Sequence, residues 1–86
     1  MIMGTVYGSV ISTSKHEALV GYKFMLVQHI ENGEPVDKFL VAVDCVGAGI
    51  GEKVLVTTGS GARLALDNHN SPVDAAIVGI IDEKQG

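Results

Sequence analysis

The sequence predicts an all-β chain, a small five-stranded barrel with one short helix, and three observations carry that expectation. Valine, isoleucine and threonine supply 23 of the 86 residues, and β-branched side chains suit a pleated sheet better than a helix. Apolar runs of strand length recur between clusters of glycine, asparagine and aspartate. A single segment, Ser60–Leu66, reads as helix, and it is too short to hold its shape without tertiary support.

The first strand is expected over Met3–Thr13, with Gly4 and Gly8 as bend points, because a glycine inside a strand marks a bulge or a barrel corner. The second covers Tyr22–Ile30 and sets Phe24, Leu26 and Gln28 on one face against Met25, Val27 and His29 on the other. Glu31-Asn32-Gly33-Glu34-Pro35 follows, and Asn-Gly is the strongest short signal for a tight hairpin. The third strand, Asp37–Val43, should therefore pair antiparallel with the second, with Phe39, Val41 and Val43 sharing a face.

Asp44–Glu52 is a glycine-punctuated loop leading to a fourth strand over Lys53–Thr58. The helix comes next, with Ser60 expected as its N-cap. Asp67–Pro72 is a polar turn cluster, Ala75–Asp82 is the fifth strand, and Glu83–Gly86 is a polar tail. This strand count with glycine bends fits an OB-like barrel, and closure removes the edges that so apolar a sheet would otherwise expose. The whole chain, residues 1–86, is expected to form a single domain.

Composition narrows the function. Ten acidic residues against six basic ones give a net charge of −4, and aromatics make up only 5% of the chain. The basic stripe and stacking platforms of a nucleic-acid binder are thus missing. The single cysteine, Cys45, excludes an internal disulfide and a cysteine-built zinc site, and fits a reducing cytoplasm. No apolar run approaches the ~20 residues of a membrane-spanning helix, and Met1-Ile2-Met3-Gly4 shows no secretory pattern. A chain this short buries only about 60% of its unfolded surface by itself, so association with neighbouring subunits is the natural source of further stability.

The candidate chemistries are weak. Gly47-Ala48-Gly49-Ile50-Gly51-Glu52 suggests a nucleotide loop, but Glu52 stands where the dinucleotide fingerprint needs glycine. A strand rather than a helix is expected next, and no Gly-Lys-Ser/Thr occurs. A tight turn or a close backbone approach explains the glycines better. Thr58-Gly59-Ser60-Gly61 lacks the leading glycine of a nucleophile elbow. Cys45 beside Asp44 reads as a buried small hydrophobe, since no positive neighbour would activate it.

His16, His29 and His69 share no metal-ligand spacing and read as surface imidazoles. Asp44, Glu52, Asp67, Asp74 and Asp82 read as turn or salt-bridge residues. Arg63, the only arginine, suits a bidentate interface contact as well as plain exposure. No catalytic constellation, cofactor site or metal site is expected.

The chain resembles the bacterial microcompartment vertex proteins, the EutN/CcmL family of pentameric shell components. The likeness runs along the sequence from Met3-Gly4-Thr5-Val6-Tyr7-Gly8-Ser9-Val10 through Gly21–Gln28. It continues over Val43-Asp44-Cys45-Val46-Gly47-Ala48-Gly49-Ile50-Gly51-Glu52 and Gly59–Arg63, and closes on Pro72-Val73-Asp74-Ala75-Ala76-Ile77-Val78-Gly79-Ile80. The resemblance implies a five-stranded barrel subunit and a homopentamer. Such rings cap the vertices of polyhedral shells in the bacterial cytoplasm, beside facets of hexameric microcompartment proteins. It implies a structural role without enzymatic activity, nucleic acid or membrane.

A ring of five needs a head-to-tail contact that closes on itself. Gly47, Ala48, Gly49, Ile50, Gly51 and Glu52, with Arg63 and with Pro72, Val73 and Asp74, are the residues expected at subunit contacts. The alternatives from other classes are an OB-like module that grips a small ligand or an oligonucleotide, and a small metal-dependent enzyme using the histidines.

Overall fold

A computed structural model describes residues 1–12, 15, 17–66 and 73–82. Five strands, β1 (Ile2–Val10), β2 (Phe24–Glu31), β3 (Glu34–Asp44), β4 (Lys53–Thr58) and β5 (Ala75–Ile80), close into a barrel in the order β1-β2-β3-β5-β4. Neighbours run antiparallel except β3 and β5, which are parallel and meet only at Val43–Ala76 and Asp44–Ile77. The barrel shuts where β4 pairs with β1, from Ile2–Val56 to Thr5–Lys53. The fold class expected from the sequence is the one observed.

Alternation builds the core. Val6, Met25, Val27, Ala42, Val54, Val56, Ala75 and Ile77 point inward and form one buried cluster with Ala48. Each of the fully buried valine, isoleucine and methionine side chains contributes roughly 1.5–3 kcal/mol, the alanines less. Gly4 marks the closest approach of two strands. A Cβ there would collide with Val27 Cγ1 and lie 2.6 Å from the Gln28 carbonyl oxygen, so the β1–β2 contact requires glycine. The expected bend near Gly8 is a register shift between Val6 and Gly8, which turns Tyr7 outward.

The hairpin signal is realised as a two-residue loop. Asn32 (φ 54°) and Gly33 (φ 79°) are both left-handed, and Glu31 pairs with Glu34 across the turn. This is the geometry that matches the twist of the flanking strands.

Several boundaries differ from expectation. β1 stops at Val10, where its partner β2 begins at Phe24, so the β-branched residues Ile11 and Thr13 lie beyond the sheet pairing or outside the described residues. β3 starts earlier, at Glu34, and passes through Pro35, because among the described residues no strand pairs with that end of β3 on its second side and so none needs an N–H there. β5 ends at Ile80 rather than Asp82. A 3₁₀ turn spans Glu17–Leu19 between β1 and β2, in a stretch the sequence reads as loop. The short helix α1 covers Ser60–Ala65, packs on β4 and β5, and buries Ala62. Its N-cap is Gly59 (φ 64°), with no side-chain capping hydrogen bond, so Ser60 is the first helical residue and not the cap.

Candidate functional site

The glycine loop is built by two carboxylates. Asp44 ends β3 with its side chain only 2% exposed, and its Oδ1 accepts hydrogen bonds from the backbone N–H groups of Val46 (3.0 Å), Gly47 (3.0 Å) and Ala48 (3.2 Å). One acceptor thereby folds the chain back on itself, as aspartate does in turns. At the far end, Glu52 Oε1 accepts from the Gly49 N–H at 2.6 Å while the Glu52 N–H donates to the Gly49 carbonyl at 3.1 Å. Gly47 (φ 77°) and Gly51 (φ 90°) occupy conformations that side chains disfavour.

The loop crosses one end of the barrel. Ala48 enters the core, and beyond it the Gly51 N–H donates to the Val6 carbonyl (2.8 Å) and the Val6 N–H to the Glu52 carbonyl (2.9 Å), tying the loop to β1. A turn held by Asp44 and Glu52 is what the glycines serve, in agreement with the turn reading. Ile50 is left at the crest, 69% exposed, between two glycines that put no side chain beside it.

The other expected contact residues are scattered around the barrel. Arg63 is half-buried on α1, Val73 is buried, and Asp74 is exposed with its carbonyl accepting from the Gly59 N–H at 2.7 Å. Pro72 lies outside the described residues, as do His16 and His69. Of the loop residues, Gly47, Gly49, Ile50, Gly51 and Glu52 are exposed, whereas Ala48 serves the subunit's own core.

Cys45 is exposed, which corrects its reading as a buried hydrophobe: the tight turn around Asp44 carries residue 45 to the surface. Partial burial, with a smaller contribution from the Asp44 carboxylate, holds its thiol pKa above the usual value, so it is not an activated nucleophile. His29 is half-buried within β2 rather than at the surface. Among the described residues no three of His, Cys, Asp and Glu gather in a way that could hold a metal, and no helix is long and apolar enough to cross a membrane.

The sequence reading missed the apolar outer wall. Tyr7, Phe39 and Val41 remain 61%, 42% and 48% exposed on the outer faces of β1 and β3, with Tyr7 and Phe39 in edge-to-face contact at 5.2 Å between ring centroids. A signal was present: Phe39, Val41 and Val43 alternate with Leu40 and Ala42, so β3 is apolar on both faces, the pattern of a strand covered on both sides. Val43 is buried outside the core cluster, beside Leu19, Phe24 and Val73. These residues line an open groove of about 190 Å³.

The fold is a small closed barrel that leaves apolar side chains facing outward, with no catalytic or metal cluster among the described residues. The comparisons give its family. The family profile described as "Ethanolamine utilisation protein EutN/carboxysome" matches residues 1–82. The carboxysome shell vertex protein CcmL of Synechocystis is 48% identical over 83 residues, covering 95% of this chain and 83% of the relative. The microcompartment shell vertex protein EutN of Escherichia coli is 40% identical, covering 96% and 88%. The solved structure of the GrpN pentameric microcompartment shell protein from Rhodospirillum rubrum superposes with a TM-score of 0.85 at 46% identity, covering 95% of this chain and 94% of that one. The chain belongs to the EutN/CcmL family of shell vertex proteins.

Proposed function

We propose that five copies of this chain close into a ring that caps the vertices of a bacterial microcompartment shell in the cytoplasm. The observation that carries the reading is the outward apolar wall at Tyr7, Phe39 and Val41 on a barrel that already has a complete core. The fold and sequence it shares with relatives named as pentameric shell and vertex proteins support the same reading. Residues 1–86 act as one domain. The role is structural and not enzymatic, and the ring's neighbours are hexameric facet proteins. A sheet of six-fold tiles needs five-fold units to acquire closed curvature, and a pentagonal ring supplies them.

On this reading Gly47, Gly49, Ile50, Gly51, Glu52, Arg63, Val73 and Asp74 take part in the subunit contacts, with Ala48 anchoring the loop from within. Each contact would bury on the order of 1,000 Å² or more, enough for specific association. Facet proteins produced with and without this chain test the proposal by electron microscopy. Closed polyhedra are expected only with it, and closed polyhedra without it would contradict the role. Gly49→Arg places a bulky side chain where a Cβ would already lie 3.4 Å from Glu52 Oε1. That variant should lose rings, and normal rings from it would remove the loop from the contact.

A further inference from the structure

A ring built by one repeated contact needs two different, complementary patches on each subunit, one facing each neighbour. The structure offers such a pair. The first is the Ile50 side chain, 69% exposed at the crest of a loop held rigid by Asp44 and Glu52. The second is the groove of about 190 Å³ whose lining includes Leu19, Phe24, Val41, Val43 and Val73, together with Asp74 and Ala75. Small-molecule sites are usually ~300–1,000 Å³ with several convergent polar groups. This groove is smaller, and apart from Asp74 its lining side chains are apolar, which suits it to seat a branched aliphatic side chain.

Topology places the two patches on opposite flanks. With the strands ordered β1-β2-β3-β5-β4, β3 lies across the barrel from the β4–β1 seam. The groove is formed on the outer faces of β2 and β3 and by the segment entering β5. The loop emerges at the seam, where Gly51 and Glu52 bond to Val6 of β1 just before β4 begins. A knob on one flank and a hole on the other give a head-to-tail contact, whereas two patches on one flank would give an isolated two-fold dimer.

We propose that Ile50 of each subunit seats in the Leu19–Phe24–Val41–Val43–Val73 groove of the next copy, making this knob and groove the repeated contact of the ring. The assignment rests on the ring reading above and names the side chains that would carry it. It also joins two stretches expected separately at contacts, the glycine loop and Val73–Asp74, as the two halves of one interface.

Ile50→Asp and Val41→Asp test it, since both side chains are exposed in the single subunit, by 69% and 48%, and neither belongs to its core cluster. Circular dichroism should show both variants folded, and native mass spectrometry should find each as a monomer while the unaltered chain is a pentamer. Mixed in equal amounts, the two variants retain one intact knob and one intact groove between them, so they should form a mixed dimer and no larger ring. Variants that remain pentameric, or monomeric variants that do not pair when mixed, would overturn the assignment while leaving the ring reading standing. A Val41→Asp chain that stays pentameric but no longer enters shells would give the groove to a different shell protein, which also overturns it. A monomeric unaltered chain would remove the ring reading and this contact together.

Discussion

At the scale of single residues, Asp44 bears more of the structure than its place in a loop suggests. Its carboxylate is buried and accepts from three backbone N–H groups, while its ion pair with Lys23 at 3.8 Å is modest because Lys23 is 59% exposed. Asp44→Ala should lower stability by roughly 2–3 kcal/mol, the loss of charged hydrogen bonds, and Lys23→Ala by less than about 1 kcal/mol. Urea unfolding at fixed protein concentration separates the two. Gly4 offers a second contrast. Gly4→Ala meets Val27 and the Gln28 carbonyl and should cost roughly 1–3 kcal/mol, while Gly8→Ala meets nothing within 4 Å and should cost much less. Equal effects would contradict the close approach of β1 and β2. For Cys45, burial and then the Asp44 charge favour the neutral thiol, so its alkylation rate should rise with pH along a curve whose midpoint lies above that of a free cysteine.

At the scale of elements, the sequence is most legible where local chemistry decides the outcome. Asn32-Gly33 specifies its own turn, and Gly33→Ala should cost about 1 kcal/mol because φ is 79° there and no neighbour compensates. The bounds of β4 are legible because the apolar run Val54-Leu55-Val56 sits between a glycine loop and Gly59. Legibility fails where a partner decides. β1 ends where β2 stops pairing with it, and β3 keeps Pro35 because one side of its tip is unpaired. The helix start misled for a related reason: Gly59 takes the cap through a left-handed φ, its N–H engaged by the Asp74 carbonyl, a tertiary contact that no local pattern announces. Ser60→Ala should therefore change stability by less than about 0.5 kcal/mol, against the ~1 kcal/mol of a true capping serine. The groove was equally hidden, since Leu19, Phe24, Val43 and Val73 come from four separate stretches of chain.

At the scale of the whole molecule, the barrel uses its inward side chains for its own core and leaves Tyr7, Phe39, Val41 and Ile50 facing out. Apolar burial between copies, at about 25 cal/mol per Å², must exceed both the entropy of association and the mutual repulsion of the subunits. Five copies at −4 each give −20, so screening should favour the ring. On dilution the ring should persist to lower protein concentration at ~0.15 M salt than at ~0.01 M, where the screening length is several times longer. The measurement that bears most directly on the whole account is the mass of the unaltered chain under native conditions at micromolar concentration. Five copies of the 9.0 kDa chain, about 45 kDa, is the expected species. A stable single copy would contradict the claim that its outward apolar side chains are there to be covered by its own kind.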